Sequence, residues 1–171
     1  HMAGTQFLDD IVPGYYFRVE GYSGAGEDTA SEHEMFARYM ISTLSFWLKE
    51  YKLSGFRFDL MGLHDVTTMN SIRSALDNLY EDGSGKKILM YGEAWDMPTQ
   101  CDEGTVMANQ KNLKKLDSRI GAFDDTIRDA IKGSTGGVDK GFIQEGSSRA
   151  ALKTGIAGQS DTSTGWANVP T

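Results

Sequence analysis

Apolar positions along the chain follow two different spacings. Met35, Phe36, Tyr39, Met40, Thr43, Leu44 and Trp47 recur at three to four residues, which predicts one long helix reaching Tyr51. Ser31 precedes it as a cap, and Glu34 completes the pattern of a capping box. At Gly55 the period changes to two. In "GFRFDL" the residues Phe56, Phe58 and Leu60 take one side of a strand, and Arg57 and Asp59 take the other. Helical spacing returns with Val66, Met69, Ile72, Leu76 and Leu79. The run "KILMYG" at 87–92 is short, apolar and bounded by breakers, as expected of a strand buried on both faces.

After the loop "EAWDMPTQCDEGT", a weaker helix is expected over 106–116, followed by a strand in "RIGAF". A short helix should run from Asp125 to Lys132 and stop at Gly133, with a last one near 148–157. Helices and strands alternate, which argues for an α/β fold with a parallel sheet and right-handed crossovers. Only about three strands are visible. The expected organisation is an extended and looped lead-in over 1–30, with His1-Met2 resembling a cloning scar. A folded region over 31–158 and a polar tail over 159–171 complete it.

Composition narrows the function classes. The 171 residues suffice for one domain with a real core. With 24 Asp and Glu against 17 Lys and Arg, the net charge of -7 argues against nucleic acid, which needs clustered cations. A single cysteine, Cys101, and three scattered histidines give no metal-ligand cluster, so no metal or other cofactor is expected. No apolar run approaches the roughly 18–20 residues of a membrane span. "GSGKK" at Gly83 precedes a strand and lacks the spacing of a phosphate-binding loop, and the acids around Asp124 lack an EF-hand pattern. Nothing in the chain specifies a compartment.

The chemistry concentrates at two strand ends. Asp59 closes one predicted strand and Glu93 follows the next. Adjacent parallel strands lie about 4.8 Å apart, so acids at their C-terminal ends can converge. A separation of about 5–5.5 Å is that of the nucleophile and acid/base of a retaining glycosidase. Arg57, on the same face as Asp59, would stabilise an ionised carboxylate, and Glu93 lies among Tyr91, Trp95 and Met97, a less polar setting that suits a proton donor. A structural reading stands beside this one: an Asp59–Arg57 salt bridge, and a Glu93 that caps its loop.

Three segments resemble the alpha-amylase superfamily of glycoside hydrolases, and within it the type I pullulanases. "GFRFDLMGLHD" resembles the family's nucleophile strand, including the "DLMG" that sets pullulanases apart from amylases. "YGEAWD" resembles the acid/base strand, and "VPGYYFR…GAGEDTASE" the segment leading into the third barrel helix; the likeness extends through "RIGAFDDTIRDAIKGS". The resemblance implies that Asp59 is the nucleophile, Glu93 the acid/base, and Arg57 the residue that orients Asp59. Met61, His64 and Trp95 would line the acceptor side. Two departures stand out: Glu27 where the family usually has Asn, and Ser54 where it often has Asp.

The implied fold is a partial (β/α)8 TIM barrel, roughly half a barrel, since a complete one takes about 250 residues. The family's earlier Asp- and His-bearing strand and its later "HD" strand have no counterpart here. The implied parent acts on α-1,6 links of an alpha-glucan such as pullulan, starch or glycogen, with calcium a matter for that parent. The piece itself is expected to be inactive and to self-associate through exposed sheet edges. An α-1,4-acting or branching relative, and a non-catalytic carbohydrate-binding module, are the competing readings.

Overall fold

The computed structural model describes residues 7–18, 21–134, 137–144, 146 and 149–156. The scar at 1–2 and the tail at 159–171 lie outside them. Among the described residues the α-helices and strands follow in the order α1 (Phe7–Ile11), α2 (Glu34–Tyr51), β1 (Gly55–Phe58), α3 (Val66–Asp77), β2 (Leu89–Gly92), β3 (Ile120–Ala122), α4 (Asp125–Lys132) and α5 (Arg149–Ile156). The strands form one parallel sheet in the order β1-β2-β3. Arg57 stands opposite Tyr91 and Phe58 opposite Gly92, while Tyr91 faces Gly121 on the other side. This is a three-stranded piece of a parallel α/β barrel with flanking helices.

The core lies on one side of this sheet. Phe58, Met90 and Ile120 point into it and meet Leu48 of α2 and Met69, Ile72 and Leu76 of α3. The α3 stripe read from the sequence is therefore the buried face. Asp65 caps this helix through the Thr68 N–H at 2.8 Å. The opposite side of the sheet is open: Leu89 is 59% exposed and Phe123, just past β3, 43%. The expectation that β2 is buried on both faces is thus corrected, because nothing among the described residues covers its second face.

Other local expectations are also revised. His33, not Ser31, is the N-cap of α2, and it makes no side-chain cap bond. The Ser31 hydroxyl is engaged with Asp65 instead, donating to its Oδ2 at 2.9 Å and accepting its N–H at 2.8 Å. A buried partner outcompetes a cap that water can replace. On α2 the inward line runs through Phe36, Met40, Ile41, Leu44 and Leu48, whereas Met35, Tyr39 and Trp47 are exposed. The helix expected over 106–116 is a 3-10 segment, Gln110–Lys115. The lead-in contains α1, which the sequence reading missed, and Phe17 makes an antiparallel bridge with Thr29.

Candidate active site

β1 and β2 end level with one another, and the chain leaves both at the same rim. The Glu93 N–H donates to the Phe58 carbonyl at 3.1 Å, which carries the register one residue beyond the strands. Asp59 and Glu93 therefore follow paired positions and project on the open side, with Arg57 one step below. The Arg57 guanidinium joins them: one terminal nitrogen donates to Asp59 Oδ1, and the other donates to Glu93 Oε1 at 2.5 Å. The two carboxylates thus stand no farther apart than two hydrogen bonds laid across one guanidinium. Their environments differ, since the Asp59 side chain is 76% exposed and that of Glu93 only 14%.

Backbone features fix this pair. Leu60 adopts a left-handed conformation, φ 47°, which costs a non-glycine residue about 1–2 kcal/mol. The sharp turn aims its N–H at Glu93 Oε2, 3.1 Å away. Strain of this kind gathers at functional sites, and nothing in the sequence announces it. Gly62 then donates its N–H to the Glu93 carbonyl at 2.8 Å. A Cβ on Gly62 would lie 2.0 Å from the Trp95 carbonyl oxygen, so only glycine lets the two rim loops touch.

Two cavities flank the pair. One, of about 300 Å³, is walled by Arg57, Glu93, Trp95, Phe123, Asp124, Asp125 and Arg128. Its walls include two aromatic rings, and the Arg57 guanidinium sits 5.7 Å from the centre of the Phe123 ring, within cation–π range. The other, of about 350 Å³, lies between Asp59, Leu60 and His64 on one side and Glu27 and Thr29 on the other. His64 is packed into this wall, with Nε2 3.4 Å from Thr29 Oγ1. Burial, aided by the nearby Arg18 charge, lowers its pKa to about 4, so the ring is neutral at pH 7.

Of the predicted residues, Arg57, Asp59 and Glu93 come together, Trp95 lines the first cavity and His64 the second. Trp95 and His64 thus lie on opposite flanks of the acids, not on one shared side. Met61 is placed differently. It is fully enclosed in the core and lines neither cavity. Sequence reasoning missed Phe123, which the third strand brings beside Arg57, and Arg18. Buried Arg18 pairs with Glu32 at 2.7 Å, donates to the Leu63 carbonyl at 3.0 Å and reaches Thr99 Oγ1 at 2.8 Å, tying the lead-in to both rim loops. No group of metal-ligating side chains is present among the described residues.

The pullulanase of Bacillus subtilis (strain 168) is 36% identical over 173 residues, covering 93% of this chain and 22% of that protein. A crystal structure of pullulanase complexed with maltotriose from Anoxybacillus sp. LM18-11 superimposes with a TM-score of 0.81. It is 36% identical and covers 91% of this chain and 22% of that one. The chain is homologous to a segment of the pullulanases. The chloroplastic pullulanase 1 of Arabidopsis thaliana agrees, at 41% identity over 75% of this chain and 14% of its own length. No family model matches. The chain spans between 14% and 22% of the length of these pullulanases.

Proposed function

We propose that this chain is the central part of the catalytic barrel of a retaining glycoside hydrolase that cleaves α-1,6-glucosidic links in pullulan- or starch-like glucans. The observation that carries the reading is the Arg57 guanidinium bound to both Asp59 and Glu93 at the ends of paired strands. Two carboxylates held by one guanidinium can act as nucleophile and acid/base on one anomeric carbon, and the retaining outcome is the one the pullulanase resemblance implies. The open Asp59 is the one a sugar carbon can reach. The enclosed Glu93, one wall of the aromatic cavity, is suited to meet the leaving oxygen.

In the first step Glu93, having exchanged its bonds to Arg57 and the Leu60 N–H for a proton, gives that proton to the departing glycosidic oxygen while an Asp59 carboxylate oxygen attacks the anomeric carbon. A covalent glycosyl ester on Asp59 results. In the second step Glu93, now a carboxylate, takes a proton from water as that water's oxygen attacks the same carbon, and Asp59 leaves. Arg57 orients Asp59 and offsets its charge. The α-glucan partner is supported by the likeness to pullulanases complexed with maltotriose and maltotetraose. The pullulanase relatives also favour debranching over an α-1,4-acting enzyme.

The chain alone, with three strands and an open inner face, is proposed to be inactive toward pullulan. Turnover by the purified chain that disappears in Asp59→Asn would overturn the inactivity. In the parent enzyme, Asp59→Asn should abolish pullulan hydrolysis, and undiminished activity there would sink the assignment of the nucleophile. The open face and the edges of β1 and β3, unpaired among the described residues, are proposed to pair with a second copy. Light scattering that finds only monomer at high concentration would refute this.

A further inference from the structure

The two acids at the start of α4 look equivalent in the sequence, and the structure separates them. Asp124 caps the helix, accepting the Thr126 N–H at 2.9 Å and the Ile127 N–H at 3.1 Å. Both line the first cavity, but Asp125 alone of the two accepts the Trp95 indole. Its Oδ2 accepts the indole N–H of Trp95 at 2.7 Å, with Gln110 Nε2 3.4 Å away, and its Oδ1 accepts from Arg128 at 2.5 Å. Three separate parts of the chain thus meet on one carboxylate whose side chain is 22% exposed.

Trp95 lies two residues beyond Glu93, and its ring walls the same cavity. The base of this side chain is held where the Trp95 carbonyl packs against Gly62. Its far end carries a single donor and no acceptor. A bond from that donor to a carboxylate is charge-assisted and directional, so Asp125 removes the rotation that the backbone leaves free. Arg128 orients the carboxylate from its other oxygen. The indole plane is therefore fixed at both ends, beside Glu93 and across from Phe123.

We propose that Asp125 is a positioning residue that locks the Trp95 indole as the stacking wall of a subsite for a pyranose ring next to Glu93. This rests on the glucan reading of the site. An aromatic face binds the apolar face of a sugar only in a narrow range of orientations, so a free ring would bind worse and less selectively.

The test uses the whole chain labelled with ¹⁵N, in which the three tryptophans give three indole N–H resonances, and Trp95→Phe identifies the one of interest. Asp125→Ala should move the Trp95 proton upfield and leave the Trp47 proton in place. Asp125→Asn, which keeps an acceptor oxygen, should restore much of the shift. Titration with maltotriose should show affinity about tenfold weaker in Asp125→Ala and largely retained in Asp125→Asn, as expected for loss of one charge-assisted bond. An unmoved Trp95 resonance in Asp125→Ala overturns the proposal, as does unchanged maltotriose affinity in a variant whose resonance has moved. An unaltered chain that binds no maltotriose at all overturns the glucan reading, and the subsite with it. Weakened binding in Asp125→Ala with binding kept in Asp125→Asn leaves both standing.

Discussion

Acidification should weaken this fold through one residue, His64. In the native structure its pKa is lowered to about 4, chiefly by burial and then by the Arg18 charge, against an ordinary value of 6.5. Below pH 6.5 the unfolded chain binds a proton that the folded chain refuses, so stability falls as pH falls. The loss begins near pH 6.5 and is complete near pH 4. Each unit in this window is worth about 1.4 kcal/mol, so going from pH 7 to pH 5 should remove at most about 2 kcal/mol. That is a large part of the net stability of a small domain. His33 opposes this trend. Burial lowers its pKa, but hydrogen bonds to the Tyr15 carbonyl and to Asp102 outweigh burial and raise it overall. Its contribution is full below about pH 6.5 and is lost as pH rises through the raised value. The assay is urea unfolding followed by circular dichroism at pH 7 and pH 5, on the unaltered chain, His64→Gln and His33→Gln. The drop should nearly vanish in His64→Gln and deepen in His33→Gln. A drop of the same size in His64→Gln would refute the reasoning, as would an NMR titration placing the His64 pKa near 6.5.

Two further substitutions test the architecture around the rim. Gly62→Ala places a methyl group 2.0 Å from the Trp95 carbonyl oxygen and should cost about 1–3 kcal/mol in denaturant unfolding, because only backbone can yield there; an unchanged midpoint would show that the loops are not in contact. Arg73 is fully enclosed, pairs with Asp77, and donates to the carbonyls of Ile88 at 2.6 Å and Gly85 at 2.9 Å. Arg73→Met removes a donor from each of two carbonyls, of which that of Gly85 keeps the Ile88 N–H, and should cost about 3 kcal/mol, softened because Arg119 still pairs with Asp77; a loss below about 1 kcal/mol would contradict this account.

What the sequence disclosed depended on how local the cause was. The strand at Gly55 and the helix from Val66 were legible because one face of each meets the core and burial writes a period into the chain, whereas the strand at Leu89 was legible only as a short apolar run between breakers. The helix at Asp125 was legible because Asp124 caps its start and Gly133 ends it. The 106–116 segment misled because its apolar residues Val106, Leu113 and Leu116 pack on the core from an irregular path. Arg73 had a visible signal, a cation between Met69 and Leu76 on the apolar stripe with Asp77 four residues on. Arg18 had none, since its partners Glu32, Leu63 and Thr99 are set by tertiary folding alone. At the site, motif resemblance named Asp59 and Glu93. It gave no hint that Arg57 spans both or that Asp125 holds Trp95, because both facts arise from how separate strands and loops are brought together. Met61 was misplaced for a simpler reason: the turn at Leu60 interrupts the strand alternation and drives the next side chain into the core.

That turn points to how so short a sheet holds a reactive geometry. β1 and β2 have four residues each and β3 three. Strands of that length fix a register but leave the residues beyond them free to splay. The rim is held instead by bonds between loops. Gly62 donates to the Glu93 carbonyl at 2.8 Å, Ala108 to the His64 carbonyl at 2.7 Å, Val66 to the Val106 carbonyl at 2.8 Å and Gln110 to the Ala94 carbonyl at 2.7 Å. Each joins the connection after β1 or after β2 to the 106–110 segment or to the other connection. Arg18 adds a third strap from the lead-in. Backbone bonds of this kind are indifferent to most side-chain changes, so the loops carry varied side chains while the carboxylates keep their places. Stability is thus vested in the face toward the helices and in the loop straps. The open face, carrying Arg57, Asp59, Tyr91, Glu93 and Phe123, is left to chemistry.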